Sequence, residues 1–222
     1  MSIVEDAVKK GQKNLSEYDS KRLLAEYGIP VTTEKLAGSA DEAVGFANEL
    51  GYPVVLKGCG ADLTHKTEKG VIRVGLKTDD EVREAFEAIN SVEQMDGVLV
   101  QEMVKGAREL VVGLIRDAQF GPCVMFGLGG IYTEVLKDVS FRVAPLEERD
   151  AVEMMGEIKA SKMLDEFRGM AAVDQDVMIK TLIAMGRIGL ENDAVAEIDV
   201  NPLIINAEGK PVAVDALVVL GG

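Results

Sequence analysis

In the first half of the chain, apolar positions recur at three- and four-residue spacing in three stretches, each opening on a hydroxyl residue with an acid three positions later. Ser16 with Asp19, Ser39 with Glu42 and Thr78 with Glu81 have the form of a capping box, in which the hydroxyl accepts from a first-turn amide and the acid reaches back. The predicted helices run through Leu23, Leu24 and Tyr27 to a stop at Gly28, through Ala43, Phe46, Ala47 and Leu50 to Gly51, and through Val82, Phe86 and Ile89. Strands are predicted at Val31 to Leu36, Val54 to Lys57 and Val71 to Leu76, which makes a compact α/β unit from about residue 21 to 95.

From Gly97 the pattern changes to consecutive short strands: VLVQEMV, ELVVGLIRD, PCVMFG, YTEVLKD and SFRVAP, before the next helical stretch near Glu147. Such a meander predicts an antiparallel sheet. A long helix from about Asp174 to Glu191 precedes a final pair, VAEIDVNPLIIN and KPVAVDALVVL. The chain therefore reads as two α+β lobes with a hinge near residues 95 to 104, and a cleft between lobes is a natural ligand site.

Composition narrows what that cleft can hold. The 222 residues carry 24 Lys and Arg against 38 Asp and Glu, a net charge of −14. Gripping nucleic acid or anionic lipid by bulk charge is excluded, so a polyanionic ligand must be met by a local cation or a metal. Cys59 and Cys123 lack metal-type spacing and suggest a reducing compartment. The opening MSIVEDAVKKG has no apolar core of signal-peptide length, and GPCVMFGLGGIY is short and broken by glycines, so a soluble cytoplasmic protein without membrane or nucleic-acid partners is expected. A single histidine, His65, rules out a His-rich metal site.

The last hairpin carries the most chemistry. Period-two geometry puts Glu197, Asp199 and Asn201 on one face of AEIDVNP and Ala196, Ile198 and Val200 on the other. A three-residue turn at Ala207, Glu208 and Gly209 sets Asn206 beside Lys210, and counting back places Asn201 opposite Asp215, give or take one residue for a bulge. Opposed side chains at about 5 Å suit an amide oxygen and a carboxylate sharing one hard cation, with Mg²⁺ fitting best. A solvated polar edge is the competing reading, against which Asp215 interrupts the apolar run PVAVDALVVL.

Three further segments offer both functional and structural readings. In PVVLKGCGADLTHKTEKG a strand delivers Lys57 into a loop with Gly58 and Gly60, where an ammonium and backbone amides can meet phosphate; a solvated strand cap is the alternative. His65 in that loop is either an ordinary surface residue or a phosphoryl acceptor, with Lys66 and Lys69 near enough to offset charge. In VLVQEMVKGAREL, Gln101, Glu102 and Val104 leave a strand at the lobe junction, where backbone groups can read an adenine edge and Glu109 can accept from ribose; a charged strand end and turn reads equally well. FGLGGIYTEVLKDVSFR places Gly127, Gly129 and Gly130 before Glu134, Lys137, Asp138 and Arg142, either for close approach of a ligand or for a tight turn.

Taken together, SEYDSKRLLAEYGIPV, VVLKGCGADLTHKTEKGV, VLVQEMVKGARELVVGLIRD, FGPCVMFGLGGIYTEVLKDVSFRVAPL and AEIDVNPLIIN with VAVDAL resemble the ATP-grasp family, and within it the nucleotide-binding subunit of ADP-forming acyl-CoA synthetases. The resemblance implies an α+β ATP-grasp fold with an N-terminal segment, residues 1–20, packing on the second lobe, a first lobe at 21–103 and a second at 104–222. It implies ATP or ADP as ligand with Mg²⁺: Lys57 as a phosphate ligand, Glu102 and Val104 at the adenine, Glu109 as a ribose or phosphate-side contact, Gly60 and Arg142 as further nucleotide-binding residues, and Asn201, Asp215 and Asp199 around the metal. His65 matches the histidine proposed to relay a phosphoryl group to ADP, although a single Gly70 follows Lys69 where the family often has two glycines. No CoA-binding fingerprint or second histidine is present, so the resemblance implies a CoA-binding alpha subunit carrying the first phosphohistidine, in a heterotetramer. The competing functions are an ATP-grasp ligase working through a free acyl phosphate, which would not need His65, and a nucleotide-sensing regulatory subunit.

Overall fold

The computed structural model describes residues 2–61, 70–92, 95–129 and 138–221. Two helices open it, α1 (Ile3–Lys9) and α2 (Glu17–Glu26). The smaller unit then comprises β1 (Glu34–Ala37), α3 (Ala40–Leu50), β2 (Val54–Cys59), β3 (Ile72–Leu76), α4 (Asp79–Asn90) and β4 (Gly97–Glu102). Its strands form an antiparallel sheet in the order β1-β4-β2-β3. Ala43, Ala47, Val82, Phe86 and Ile89 of the two helices bury against Val54, Leu56, Val98 and Val100 of the sheet.

The capping residues act as expected at their own end: Ser16, Ser39 and Thr78 each accept from the amide three residues on. Two of the acids reach one residue further back than a box requires, Glu42 to the Gly38 amide at 2.8 Å and Glu81 to the Lys77 amide at 2.5 Å, while Asp19 accepts from the Ser16 hydroxyl at 3.3 Å. A reciprocal box closes instead at Ser2 and Glu5 on α1.

The larger unit is built on β5 (Arg108–Asp117), β6 (Gly121–Leu128), β7 (Val139–Val143), β8 (Val195–Ile205), β9 (Pro211–Ala213) and β10 (Leu217–Leu220). The strand order is β10-β8-β5-β6-β7, with β9 also paired to β8, and every pairing is antiparallel. One face is covered by α5 (Glu148–Glu157) and α6 (Gln175–Glu191). Met178, Leu182, Met185 and Ile188 recur on one stripe of α6, each with no exposed area, as an amphipathic helix on a sheet requires.

Two expectations need adjustment. Helix α2 does not begin the smaller unit, because Leu23, Leu24 and Ile29 bury in the core of the larger sheet, beside β10. At about 1.5–3 kcal/mol for each large apolar side chain removed from water, that face decides where the helix docks. The strand predicted from Val31 starts only at Glu34, because the preceding residues pair with the other sheet: Val31 bridges Ala213, the Thr32 amide donates to Ala213, and the Ala213 amide donates to Pro30. Residues 30–33 thus stitch the two units together.

Candidate functional site

The hairpin geometry follows the sequence count. The Asn206 amide donates to the Lys210 carbonyl at 2.9 Å, and Asn206 Oδ1 accepts from the Glu208 and Lys210 amides. Gly209 closes the turn at φ +86°, with a Cβ there falling 2.1 Å from the Ala172 carbonyl oxygen, so only glycine fits. Leu203 faces Ala213 and, beyond the gap, Asp199 faces Leu217 in the same register. Asn201 and Asp215 therefore occupy facing positions between them.

The one-residue allowance for a bulge is used on the β5 side. Against β5 the pairing of β8 shifts by one residue between Leu110 and Val112. Buried positions on β8 change from Ile198 and Val200 to Leu203 and Ile205; on the opposite arm they change from Ala213 to Ala216 and Val218. Both arms switch face at the same level, so the register is kept while the local side chains are re-aimed, as bulges beside functional sites commonly do.

On the sheet face away from the helices, Glu197 pairs with Ile115 and Asp199 with Gly113. The Asp199 carboxyl is pushed up to about 6 by burial first, then by the negative charges of Glu197 and Asp215. A field this negative is one a divalent cation relieves. Among the described residues no group of three or more His, Cys, Asp or Glu side chains is arranged to hold a metal unaided. Two protein oxygens, from Asn201 and Asp215, with water and phosphate filling the remaining positions, is how Mg²⁺ is ordinarily held, and this donor set fits it.

Lys57 reaches this place from the other sheet. All six residues of β2 are buried, yet Lys57 is not a solvated strand cap: its Nζ donates to Glu17 Oε1 at 2.7 Å and to the Val214 carbonyl at 2.9 Å. Val214 immediately precedes Asp215, so the two residues singled out independently are brought together across the lobe boundary. Lys21 lies in the same cluster, donating to Thr32, Glu34, Gln101 and Val214 and ion-paired to Glu17. Burial is the largest influence on Glu34, whose carboxyl is raised even though Lys21 opposes the shift. Sequence reasoning missed Glu17, Lys21 and Glu34, because a Glu and Lys four apart on a helix ordinarily form an exposed pair.

The remaining expectations divide. Glu102 and Val104 line one cleft with Val31, Asn206 and Glu208. The Glu102 amide donates to the Thr33 carbonyl at 3.0 Å and its Oε1 accepts from the Thr33 amide at 2.7 Å. Glu109 is exposed on β5, on the sheet face opposite buried Leu110 and thus the face of Asp199. Gly60 is buried just past β2, whereas the Gly58 amide is consumed by the Val71 carbonyl at 2.8 Å.

Arg142 is a correction. It shares a β7 face with Ser140, which bonds to Met154 of α5, and its guanidinium grips Glu157 of α5 at 2.6 and 2.9 Å. That is the helix-covered face, away from Asp199. The loop glycines are spent on packing too: a Cβ on Gly127 would sit 2.5 Å from the Asp138 carbonyl oxygen, and one on Gly129 would sit 2.5 Å from that of Leu110. His65, Lys66, Lys69, Gly130, Glu134, Lys137 and the predicted strand YTEVLKD up to Lys137 lie outside the described residues. Cys59 and Cys123 are both buried. No helix among the described residues is long and apolar enough to cross a membrane.

Comparison with known proteins gives the family. The family model described as an ATP-grasp domain matches residues 6–220. The chain belongs to the ATP-grasp family. Among its relatives, the beta subunit of an ADP-forming acetate-CoA ligase of Pyrococcus furiosus is 44% identical, over 98% of this chain and 96% of that one. An ADP-forming acetate-CoA ligase of Archaeoglobus fulgidus is 40% identical over 99% of this chain, which spans only 33% of that longer protein. A solved acetyl-coenzyme A synthetase of Ca. Korarchaeum cryptofilum, in complex with coenzyme A and Mg-AMPPCP, superposes with a TM-score of 0.87 at 46% identity, covering 99% of this chain and 98% of that one. Its phosphohistidine segment points towards the nucleotide-binding site. In the ATP-grasp arrangement of this chain, the two sheets meet where Lys57 touches the strand end carrying Asp215.

Proposed function

We propose that this chain is the nucleotide-binding subunit of an ADP-forming acyl-CoA synthetase, catalysing acyl-CoA + ADP + phosphate ⇌ carboxylic acid + CoA + ATP together with a CoA-binding partner. The observation that supports the reading most is the contact of Lys57 Nζ with the Val214 carbonyl at 2.9 Å, one residue before Asp215, which suits Lys57 as a phosphate ligand beside Asn201 and Asp215 as the metal ligands. Phosphoryl transfer needs little from a protein beyond alignment and charge neutralisation. Lys57 offers an ammonium to the nucleotide phosphates, Gly60 lies at the same strand end, and Glu102 and Val104 border the base with Glu109 towards the ribose. Asn201 and Asp215, with Asp199 beside them, hold Mg²⁺, which when bound neutralises phosphate charge that a chain of net charge −14 otherwise repels.

His65 is the group assigned to carry the phosphoryl between the partner's phosphohistidine and ADP. The relatives named as beta subunits, and the longer one-chain relative, support a partner that supplies CoA binding and acyl transfer. A heterotetramer of two copies of each subunit in the cytoplasm completes the proposal. The test is ATP formation from acyl-CoA, ADP and phosphate by the reconstituted complex. Activity no greater than that of the partner alone overturns the reading, and unimpaired ATP formation by His65→Ala removes the relay.

A further inference from the structure

Helices cover one face of the larger sheet, and the strand register sets what the other face carries. Leu217 faces Asp199, Asp199 faces Gly113, Gly113 faces Met125 and Met125 faces Phe141, a single row across five strands. The next row, further from the hairpin turn, runs through Glu197, Ile115, Cys123 and Val143. Large apolar side chains on these rows stay in water: Phe141 and Val143 are each 47% exposed, Ile115 45% and Leu217 39%. Leu114, Val124 and Val218, at alternate positions, are buried in the core on the helix side, so strand alternation itself puts an apolar band on the open face. Charge is sorted by face as well. Among the described residues the strands of this sheet carry three basic side chains, and all turn to the helix side. Arg108 donates to the Met163 and Asp165 carbonyls, Arg116 to that of Gly189 on α6, and Arg142 to Glu157 on α5. Glu109, Asp117, Glu197 and Asp199 alternate the other way and take the open side.

We propose that the open face around Ile115, Phe141 and Val143 is the docking surface for the CoA-binding partner, whose matching surface is an apolar patch flanked by lysine and arginine. The inference rests on the reading of this chain as the subunit that exchanges a phosphoryl group with that partner. On that reading the base lies at the hinge end of β8 beside Asn206, Mg²⁺ lies next along the strand at Asn201, and the row through Asp199 and Phe141 follows. A phosphohistidine then meets the nucleotide phosphates from the side of these two rows, and the protein that carries it lies over them. The charge of the face selects among occupants. Four acids repel nucleic acid and anionic lipid. A second copy of this chain would set the same acids against themselves, because a two-fold contact pairs like with like. A basic flank pairs with them and speeds encounter. Phe141, Val143, Ile115 and Met125 form the apolar part on β5, β6 and β7, with Glu197 and Asp199 to one side on β8, and an apolar, aromatic and methionine-bearing centre with charge at its border is the anatomy of a specific protein interface.

The test is calorimetric titration of the CoA-binding subunit into the full chain at low and high salt, with Mg·ADP titrated separately into the same variants. The wild type is expected to bind the subunit, and more weakly at high salt. Phe141→Glu and Ile115→Glu lie on different strands at half-exposed positions that tolerate a polar side chain. Each is expected to bind the subunit about 10- to 100-fold more weakly and to keep wild-type affinity for Mg·ADP. Val152→Glu, equally exposed but on α5 across the sheet, is expected to bind the subunit as the wild type does. Excess subunit should restore ATP formation by the Phe141→Glu complex, since docking and not chemistry is impaired. Wild-type docking by either Phe141→Glu or Ile115→Glu, an equal loss in Val152→Glu, docking of the wild type that ignores salt, or a loss of Mg·ADP affinity in step with the loss of docking overturns the proposal. So does a wild-type dimer that both Glu variants dissociate while their affinity for the subunit is unchanged, which assigns the face to a second copy of this chain. A wild-type chain that does not bind the CoA-binding subunit at either salt overturns the functional reading itself.

Discussion

Replacing Lys57 with Met tests whether the contact between the two sheets is an ion pair with mutual stabilisation or a neutral strut. Methionine keeps the length and most of the volume of the side chain but leaves Glu17, whose side chain is 1% exposed, short of one partner at 2.7 Å. At an effective dielectric of about 20, unit charges at 2.7 Å attract by ~6 kcal/mol. Desolvation offsets part of this, and breaking a buried pair from one side typically costs about 3–5 kcal/mol. Lys21 still donates to Glu17 at 2.9 Å, which puts the expected loss at the low end, about 3 kcal/mol. For a chain of 222 residues that is a fall of about 6–12 °C in Tm.

The double variant Lys57→Met/Glu17→Gln leaves Lys21 with Glu34, one charge of each sign, and should recover about 1.5–3 kcal/mol of the summed single losses. Urea unfolding of the wild type, both singles and the double closes the cycle. Strictly additive losses would refute the claim that Glu17 and Lys57 stabilise each other. Nucleotide binding should be lost in both variants lacking Lys57, whatever their stability, because no other ammonium in the described cluster has a proton to spare.

The proposed Mg²⁺ ligands and Arg142 have separate tests. Asp215→Ala should abolish Mg²⁺-dependent nucleotide binding in an equilibrium assay, and unchanged affinity would refute the hairpin assignment. Because the folded Asp199 carboxyl sits near 6, above its ordinary 3.8, the folded chain holds that proton more tightly than the unfolded one. Metal-free stability should therefore decline as pH rises from the ordinary carboxylate range through about 6, and Mg²⁺ should restore it above that point. Thermal melts across pH with and without Mg²⁺ read this, and Asp199→Asn should flatten the metal-free curve. Arg142→Ala should leave nucleotide affinity unchanged and cost no more than about 1 kcal/mol, since its partner Glu157 is half exposed; a large loss of affinity would return Arg142 to the site.

Local pattern determined a good deal of this protein. The three capped helices, the meander of antiparallel strands and the long helix from Asp174 follow from spacing and end signals that act within a few residues. So does the facing of Asn201 and Asp215, because a tight turn with glycine at Gly209 fixes the register of both arms. The charge of −14 already required a local cation for any phosphate ligand.

Tertiary structure alone decided which lysines are brought together and what surrounds them. Glu17 and Lys21 have the spacing of an exposed helical pair, and only the docking of α2 between the sheets buries them. Lys57 reads as a strand end until the hairpin strand from the far lobe lays the Val214 carbonyl against it. Arg142 follows a glycine-rich segment in sequence but faces α5, because alternation along β7 is set by which side of the sheet the helices cover. Burial and partnership across more than a hundred residues of chain are properties of how the sheets meet, and no local spacing carries them.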